Sequence, residues 1–289
     1  MNDQSRATVL VTGGTDGLGR AAAVLLAQRG YRVFAGSRNG ERRATIDQLA
    51  RESRLPLESL ELDVCDDASV DRAVSEIEKR AGAVEVLINN AGIAIAAVME
   101  EVTLDDLRKQ YETNLFGVLR TTKRVLPAMR ERKRGRIINM SSIAGKVTIP
   151  IMGPYSSSKH ALEAVSDALR LELYSFGIHV VLIEPGVIRT SMSRTAEELS
   201  TAYVKGAEQS PYRPVYQGFR DSWQKATKAS RDTPEDCAQV ILRAIEENPP
   251  RARYLVTSEA KKSALMRRIL PDRIFDAGIL KRMGLQKTH

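Results

Sequence analysis

The chain has 289 residues, 43% hydrophobic and 28% charged, with a formal net charge of +8 and a pI near 9.5. Such usage supplies one sizeable core, and the lack of any apolar run of about 18 residues argues against a membrane-spanning helix. The bases are scattered, concentrating only at 130–136 and after Lys261, with no zinc finger or RNP-like strand beside them, so no nucleic-acid partner is expected.

In chain order, residues 1–6 lead into an apolar strand without the apolar stretch of a signal peptide, and a cytoplasmic location is expected. Strands are expected at 7–11, 31–36, 57–63, 84–89, 135–141 and 179–183, and helices at 18–29, 42–54, 68–81, 103–132 and 156–176. Strands separated by helical segments imply right-handed crossovers and a parallel sheet. Val86-Leu87-Ile88 and Val180-Val181-Leu182-Ile183 are continuously apolar, as strands covered by helices on both faces should be. The expected fold class is α/β, a single-domain doubly wound parallel sheet of Rossmann type over residues 1–289. Residues 189–232 are polar and carry Tyr203, Tyr212, Tyr216, Phe219 and Trp223; they read as an inserted substrate cap. A helix at 234–247, a strand at 253–257 and a basic helical tail at 261–289 follow. Cys65 and Cys237 form no CxxC or metal-ligand spacing; reduced thiols and no metal are expected.

The first strand runs into Thr12-Gly13-Gly14-Thr15-Asp16-Gly17-Leu18-Gly19, a GxxxGxG spacing at a strand-to-helix junction. A tight turn, close backbone approach to a pyrophosphate and free N–H groups at a helix start all favour a nucleotide there. The second strand ends in Ser37-Arg38, where an acid would bind a ribose 2′-hydroxyl. Arginine can instead hold a 2′-phosphate by paired hydrogen bonds, so NADP(H) is favoured over NAD(H). Asp63, followed by Val64, can accept from an adenine amino group or cap the next helix. Asn89-Asn90-Ala91-Gly92 lets backbone lie close to a ribose.

Ser142 follows the fifth strand, and Tyr155 and Lys159 share a helix face at i and i+4. An ammonium one turn away should favour the phenolate, making Tyr155 an acid/base for a carbonyl or alcohol oxygen that Ser142 also holds. Lys159 can in addition hold the nicotinamide ribose. Asn114 falls inside the long helix expected at 103–132, where it invites a kink and a water linking Lys159 to solvent, or simply faces solvent. Pro185-Gly186-Val187-Ile188-Arg189-Thr190 ends the sixth strand, with backbone and the Thr190 hydroxyl placed for a carboxamide.

Taken together, TGGTDGLG, LDV, NNAG, TNLFG, SS followed by YSSSK, and PGVIRT resemble the short-chain dehydrogenase/reductase family over about residues 7–260. The resemblance implies Tyr155 as acid/base, Ser142 as the carbonyl-orienting residue, Lys159 as the residue that lowers its pKa and binds ribose, and Asn114 as proton relay. It implies cofactor contacts from Gly13, Thr15, Asp16, Gly17, Leu18 and Gly19, from Ser37, Arg38, Asp63 and Val64, from Asn90, Ala91 and Gly92, and from Pro185, Gly186, Val187, Ile188 and Thr190. It places Asn89 on the adenosine side. It also implies a homodimer or homotetramer. Asp16 departs from the basic residue that some NADP-using members carry in this loop.

The long C-terminal third resembles the hydroxysteroid and retinol dehydrogenases more than the β-ketoacyl reductases. The aromatic cap then suits a flat apolar ketone, aldehyde or alcohol by burial and stacking. Two alternatives stand beside this reading. One is a reductase of a carrier-bound or polyketide-type ketone, with residues 130–136 docking the carrier. The other is a non-catalytic NADP(H) sensor, which has no need of the whole set Asn114, Ser142, Tyr155 and Lys159. Leu265, Ile269, Ile274, Phe275, Ile279 and Leu280 among the tail's bases leave two readings. They lie on an anionic bilayer surface, or they pack on their own domain or a subunit.

Overall fold

A computed structural model describes residues 6–189 and 191–285, with backbone alone at 6 and 191–195. Seven parallel strands form one sheet in the order β3-β2-β1-β4-β5-β6-β7. They are β1 (Arg6–Thr12), β2 (Tyr31–Ser37), β3 (Leu57–Glu61), β4 (Val86–Asn89), β5 (Gly135–Met140), β6 (Ile178–Glu184) and β7 (Arg253–Leu255). The chain builds outward from β1 to β3, then returns to place β4 against the other side of β1. The order reverses there, which opens a crevice at the carboxyl ends of β1 and β4.

Alternation within the strands divides the core in two. Val9, Val11, Ile88, Ile138 and Val181 face α1 (Gly17–Gln28), α2 (Gly40–Glu52) and α9 (Pro234–Glu246). Leu10, Leu87, Ile137 and Val180 face α3 (Asp67–Ala81) and α5 (Gly117–Glu131). These side chains are at most 5% exposed, so both sheet faces are dry and the continuous apolar runs are accounted for.

Several expectations are corrected. The helix expected at 103–132 is two helices, α4 (Leu104–Tyr111) and α5, joined by a π-helical turn over Glu112–Phe116 that contains Asn114. The helix bearing Tyr155 starts earlier, as α6 (Gly153–Glu172), because Pro154 fits a first turn, where its missing N–H costs nothing. The last strand stops at Leu255, since Thr257 turns to cap α10 (Ser258–Ile269) through the Ala260 N–H at 3.1 Å. The cap region is helical, as α7 (Ser191–Gly206) and α8 (Arg213–Ala229).

The tail is helical as expected, α10 followed by α11 (Asp272–Arg282), yet it does not bury its apolar stripe. Leu265, Met266, Ile269, Ile274 and Leu280 are exposed, and α11 contains no buried residue. Among the described residues no helix is long and apolar enough to cross a membrane.

Candidate active site

The turn from β1 into α1 is made by Gly13, whose φ of +63° lies in the left-handed region. Gly19 is fixed by proximity: a Cβ there would stand 2.4 Å from both the Gly13 carbonyl oxygen and Asn90 Nδ2. The segment after β4 is sewn to this loop. The backbone N–H groups of Asn90 and Ala91 both donate to Thr12 Oγ1 at 3.0 Å, and Asn90 Nδ2 donates to the carbonyls of Thr12 and Gly13 at 3.0 and 3.1 Å. Such a backbone cradle at a helix N-terminus fits a dinucleotide pyrophosphate. Thr15 is buried within it, and Leu18 packs from α1 onto the core.

Asp16 is the N-cap of α1, accepting from the Gly17 N–H at 2.7 Å. Its other oxygen meets Arg42 Nη1 at 2.9 Å, so a base from α2 offsets the negative charge set in an anion site. Sequence reasoning missed Arg42; the available signal was a base one turn beyond Arg38. Arg38 is largely exposed and lies 3.5 Å from Asp63. Ser37 accepts from the Asn39 N–H at 3.2 Å, and no acid ends β2. An exposed guanidinium beside a strand end without an acid fits a 2′-phosphate. Asp63 does not cap α3, as one reading had it. Asp66 does, through the Ala68 N–H, while Asp63 accepts from the Cys65 N–H at 2.9 Å. Val64 packs its side chain against Gly117 and gives its carbonyl to Arg120.

Asn89 ends β4. It is buried, donating to Thr122 Oγ1 at 3.0 Å and Asn139 Oδ1 at 2.9 Å, because β4 points it into the second core. Asn114 is likewise fully buried, so the solvent-facing reading fails. Its Oδ1 accepts from the Ile93 N–H and its Nδ2 donates to the Ile93 carbonyl, both at 2.9 Å, and to Ser158 Oγ at 3.1 Å. Both amide protons are thus committed to holding the loop after β4 against α6.

Three loops meet around Tyr155. The Ala97 N–H donates to the Ile151 carbonyl, and the Ile143 N–H to the Pro185 carbonyl, each at 2.9 Å. Ile151 has φ +72°, a real departure for a β-branched residue, and is held there by packing with Val98, Ala207 and Tyr216. Ser142 caps the short turn that follows it through the Ala144 N–H at 3.1 Å and lies close enough to the Tyr155 hydroxyl to draw its pKa down. Tyr155 and Lys159 are both under 9% exposed, and Lys159 Nζ donates to the Met140 carbonyl at 2.8 Å. Residues 93–99 carry no charge and residues 143–153 only Lys146.

The electrostatics correct one expectation. Burial pushes the Tyr155 phenol up to about 12, against the Ser142 hydrogen bond that draws it down. The same burial brings the Lys159 ammonium down to about 8, with Glu163 opposing.

Behind this pair lies a charged cluster that sequence reasoning also missed. Fully buried Glu184 has Lys146 and Arg253 each at 3.3 Å, and Arg253 also meets Glu163 at 3.0 Å and Asp167 at 2.6 Å. Burial first, and the nearby Glu163 carboxylate second, raise Glu184 to about 7. The cluster ties the Ser142 loop, α6, β6 and β7 together; nothing local in the sequence pairs these residues.

In the segment after β6, the Pro185 carbonyl accepts from Ser142, Gly186 lies against Thr257, Val187 accepts from Ser230 at 2.7 Å and Ile188 is buried. Thr190 lies outside the described residues. The hydroxyls of the cap tyrosines are tied to carboxylates, and its other two aromatics pair with each other. Tyr203 donates to Asp106 at 2.5 Å, Tyr212 to Glu100 and Tyr216 to Glu101 at 2.6 Å, and Phe219 and Trp223 stack on each other with centroids 5.7 Å apart. They clasp the cap to the segment after β4. Among the described residues no group of three or more His, Cys, Asp or Glu side chains is placed to hold a metal ion.

Residues 7–200 match the family model described as short chain dehydrogenase. The chain is 36% identical over 280 residues to the uncharacterized oxidoreductase YusZ of Bacillus subtilis, covering 95% of this chain and 97% of that one. It is 35% identical over 275 residues to the NADPH-dependent 3-dehydrocapnine reductase of Ornithobacterium rhinotracheale, covering 92% and 94%. A solved structure of an actinorhodin polyketide ketoreductase variant with NADPH superposes with a TM-score of 0.76 at 31% identity, covering 88% of this chain and 97% of that one.

Proposed function

The chain belongs to the short-chain dehydrogenase family, NAD(P)-dependent oxidoreductases, and from that premise we propose that it uses NADP(H) to reduce the carbonyl of an apolar ketone or aldehyde. The observation that carries this reading is the Tyr155 phenol. It is buried, beside loops whose one charge is Lys146, with Ser142 next to its hydroxyl, and burial pushes its pKa up to about 12. Reduction asks for a proton donor at the carbonyl oxygen, and a phenol near 12 is one.

When bound, the reduced nicotinamide supplies a hydride to the carbonyl carbon. Tyr155 gives its hydroxyl proton to the carbonyl oxygen, and Ser142 donates to that oxygen and orients it. Lys159 holds the nicotinamide ribose and is the charge closest to the phenol, its Nζ 5.7 Å from the ring centroid. Asn114 keeps Ile93 and Ser158 in place. The cradle of Gly13, Gly17 and Gly19 takes the pyrophosphate. Arg38 takes the 2′-phosphate, helped by Arg42, which keeps Asp16 turned into the helix cap. Ser37, Asp63, Val64, Asn90, Ala91 and Gly92 hold the adenosine half, and Pro185, Gly186, Val187, Ile188 and Thr190 the carboxamide. The NADPH dependence of the 3-dehydrocapnine reductase supports the cofactor choice.

A carrier-bound ketone has less support in residues 130–136. Arg134 is paired with Glu85, and Arg136 turns inward to carbonyls at the end of α9, including that of Glu247 at 2.9 Å. The test is cofactor oxidation by the purified chain, with NADPH and NADH separately, against long-chain, steroidal, retinoid and β-keto thioester carbonyls. Turnover with NADPH and an apolar carbonyl is expected. Turnover confined to thioesters, or to NADH, contradicts the substrate or cofactor half of the reading. Tight cofactor binding without turnover favours the sensor.

A further inference from the structure

The α10–α11 hairpin has the wrong surface for a segment facing only water. Leu265, Met266, Ile269, Ile274 and Leu280 are each between 44% and 63% exposed. An exposed apolar patch of this kind marks a contact. Its charge indicates with what. The hairpin's acids are occupied within it: Glu259 meets Arg282 at 3.0 Å, Asp272 meets Arg267, and Asp276 also faces Arg267. Lys261, Lys262, Arg268, Arg273 and Lys281 are all exposed and have no ion-pair partner among the described residues.

Helical spacing places these groups together. On α10, Lys261, Lys262, Leu265, Met266 and Ile269 occupy the side opposite buried Ala260, with exposed Arg268 at its margin. On α11, Arg273, Ile274, Ala277, Leu280 and Lys281 occupy the side opposite half-buried Phe275 and Ile279. The exposed face of α11 carries no acid, and the acid at the edge of the α10 face, Glu259, is paired with Arg282.

The geometry points to an anionic lipid bilayer as the occupant: we infer that α10 and α11 form a membrane-surface docking site. Large apolar side chains interleaved with unpaired bases match an interface whose headgroups are negative and whose next layer is hydrocarbon. A second copy on the same patch would set five unpaired bases against five, since a two-fold interface faces itself. Nucleic acid would answer the bases and leave the five apolar side chains in water.

The hairpin is also attached to both walls of the proposed site. Ala260 at its root lies on the loop after β6, its Cβ 3.5 Å from the place of a Cβ on Gly186. At its far end Ser222 of α8 donates to the Arg282 carbonyl at 3.1 Å, and Gly218 gives the Met283 carbonyl room. A docked hairpin thus brings the nicotinamide loop and the cap to the bilayer, the phase that holds apolar ketones.

Co-sedimentation of the full chain with vesicles tests this and reads neither cofactor nor turnover, so it fails independently of the reductase reading. Vesicles of phosphatidylcholine with phosphatidylglycerol are compared with phosphatidylcholine alone. Binding to the anionic vesicles is expected, with loss in about 0.5 M salt, where the Debye length has fallen to a few ångströms. With roughly one kcal/mol per base at such a surface, replacing Arg268, Arg273 and Lys281 by glutamine should weaken binding about a hundredfold. Replacing Leu265, Ile269 and Ile274 by serine should abolish what remains at high protein, with circular dichroism unchanged. No binding, equal binding to the zwitterionic vesicles, or tighter binding to a DNA duplex overturns the proposal. So does an oligomer that the serine variant dissociates.

Discussion

At the carboxyl edge of the sheet, polar groups are buried and mostly answered. Asn114 holds Ile93 from both sides, Lys159 reaches the Met140 carbonyl, and Glu184 sits between Lys146 and Arg253. In the α10–α11 hairpin the charged groups are exposed, and five bases have no ion-pair partner among the described residues. In the first region, losing the partner of Asn114 or Lys159 would leave a buried group unsatisfied, at about 1–3 kcal/mol each. The second has little inside the molecule to lose. The difference marks two kinds of function: bond chemistry needs fixed atoms, whereas a surface contact needs area and charge.

Substitutions should therefore act strongly at the edge and weakly in the hairpin. The largest effect is expected for Tyr155→Phe. Turnover should fall about 10²–10⁴-fold, the usual worth of a positioned acid, while NADPH titrated by fluorescence still binds. Near-normal turnover would remove Tyr155 from the chemistry. Arg38→Asp should weaken NADPH by about a hundredfold, a charged bidentate contact being lost and a like charge added, and leave NADH nearly unchanged. Equal responses would show that no 2′-phosphate is read there.

The pH profile sharpens the same region. If the Lys159 ammonium is needed, kcat/KM for reduction should fall as pH rises through about 8, where Lys159 loses its proton, with about a tenfold loss per further unit. Tyr155, near 12, would not limit the rate there. A profile flat to pH 10 would show that the charge on Lys159 is dispensable.

Two glycines give the smallest effects and the most direct contrast. Gly19→Ala drives a methyl to 2.4 Å from the Gly13 carbonyl, and should cost about 1–3 kcal/mol in urea unfolding together with cofactor affinity. Gly278→Ala, in α11 with nothing within 4 Å, should stabilise by at most about 1 kcal/mol. Similar values at both positions would erase the contrast.

The two regions were also unequally legible in the sequence. The parallel, doubly wound sheet follows from the alternation of strands and helices and from right-handed crossovers. Tyr155 and Lys159 share a face because one helical turn relates them, and the glycine spacing belongs to one turn. What escaped depends on partners far apart in the chain. Arg42 against Asp16, Asn89 turned to Asn139, the tyrosines tied to Glu100, Glu101 and Asp106, and the cluster around Glu184 have no local signature. The π turn at Asn114 was visible only as a poor helix former in a long helix. The direction of the Tyr155 shift was hidden because spacing reports the neighbouring charge and says nothing of burial.

The central claim is hydride transfer onto a carbonyl carbon with Tyr155 as proton donor. It is tested most directly with NADPH deuterated at the transferring nicotinamide carbon and a long-chain ketone, the product being read by mass spectrometry. The account predicts deuterium on the new carbinol carbon with the native chain and almost none with Tyr155→Phe at the same cofactor occupancy. Unlabelled alcohol from the native chain, or equal labelling by the variant, would contradict it.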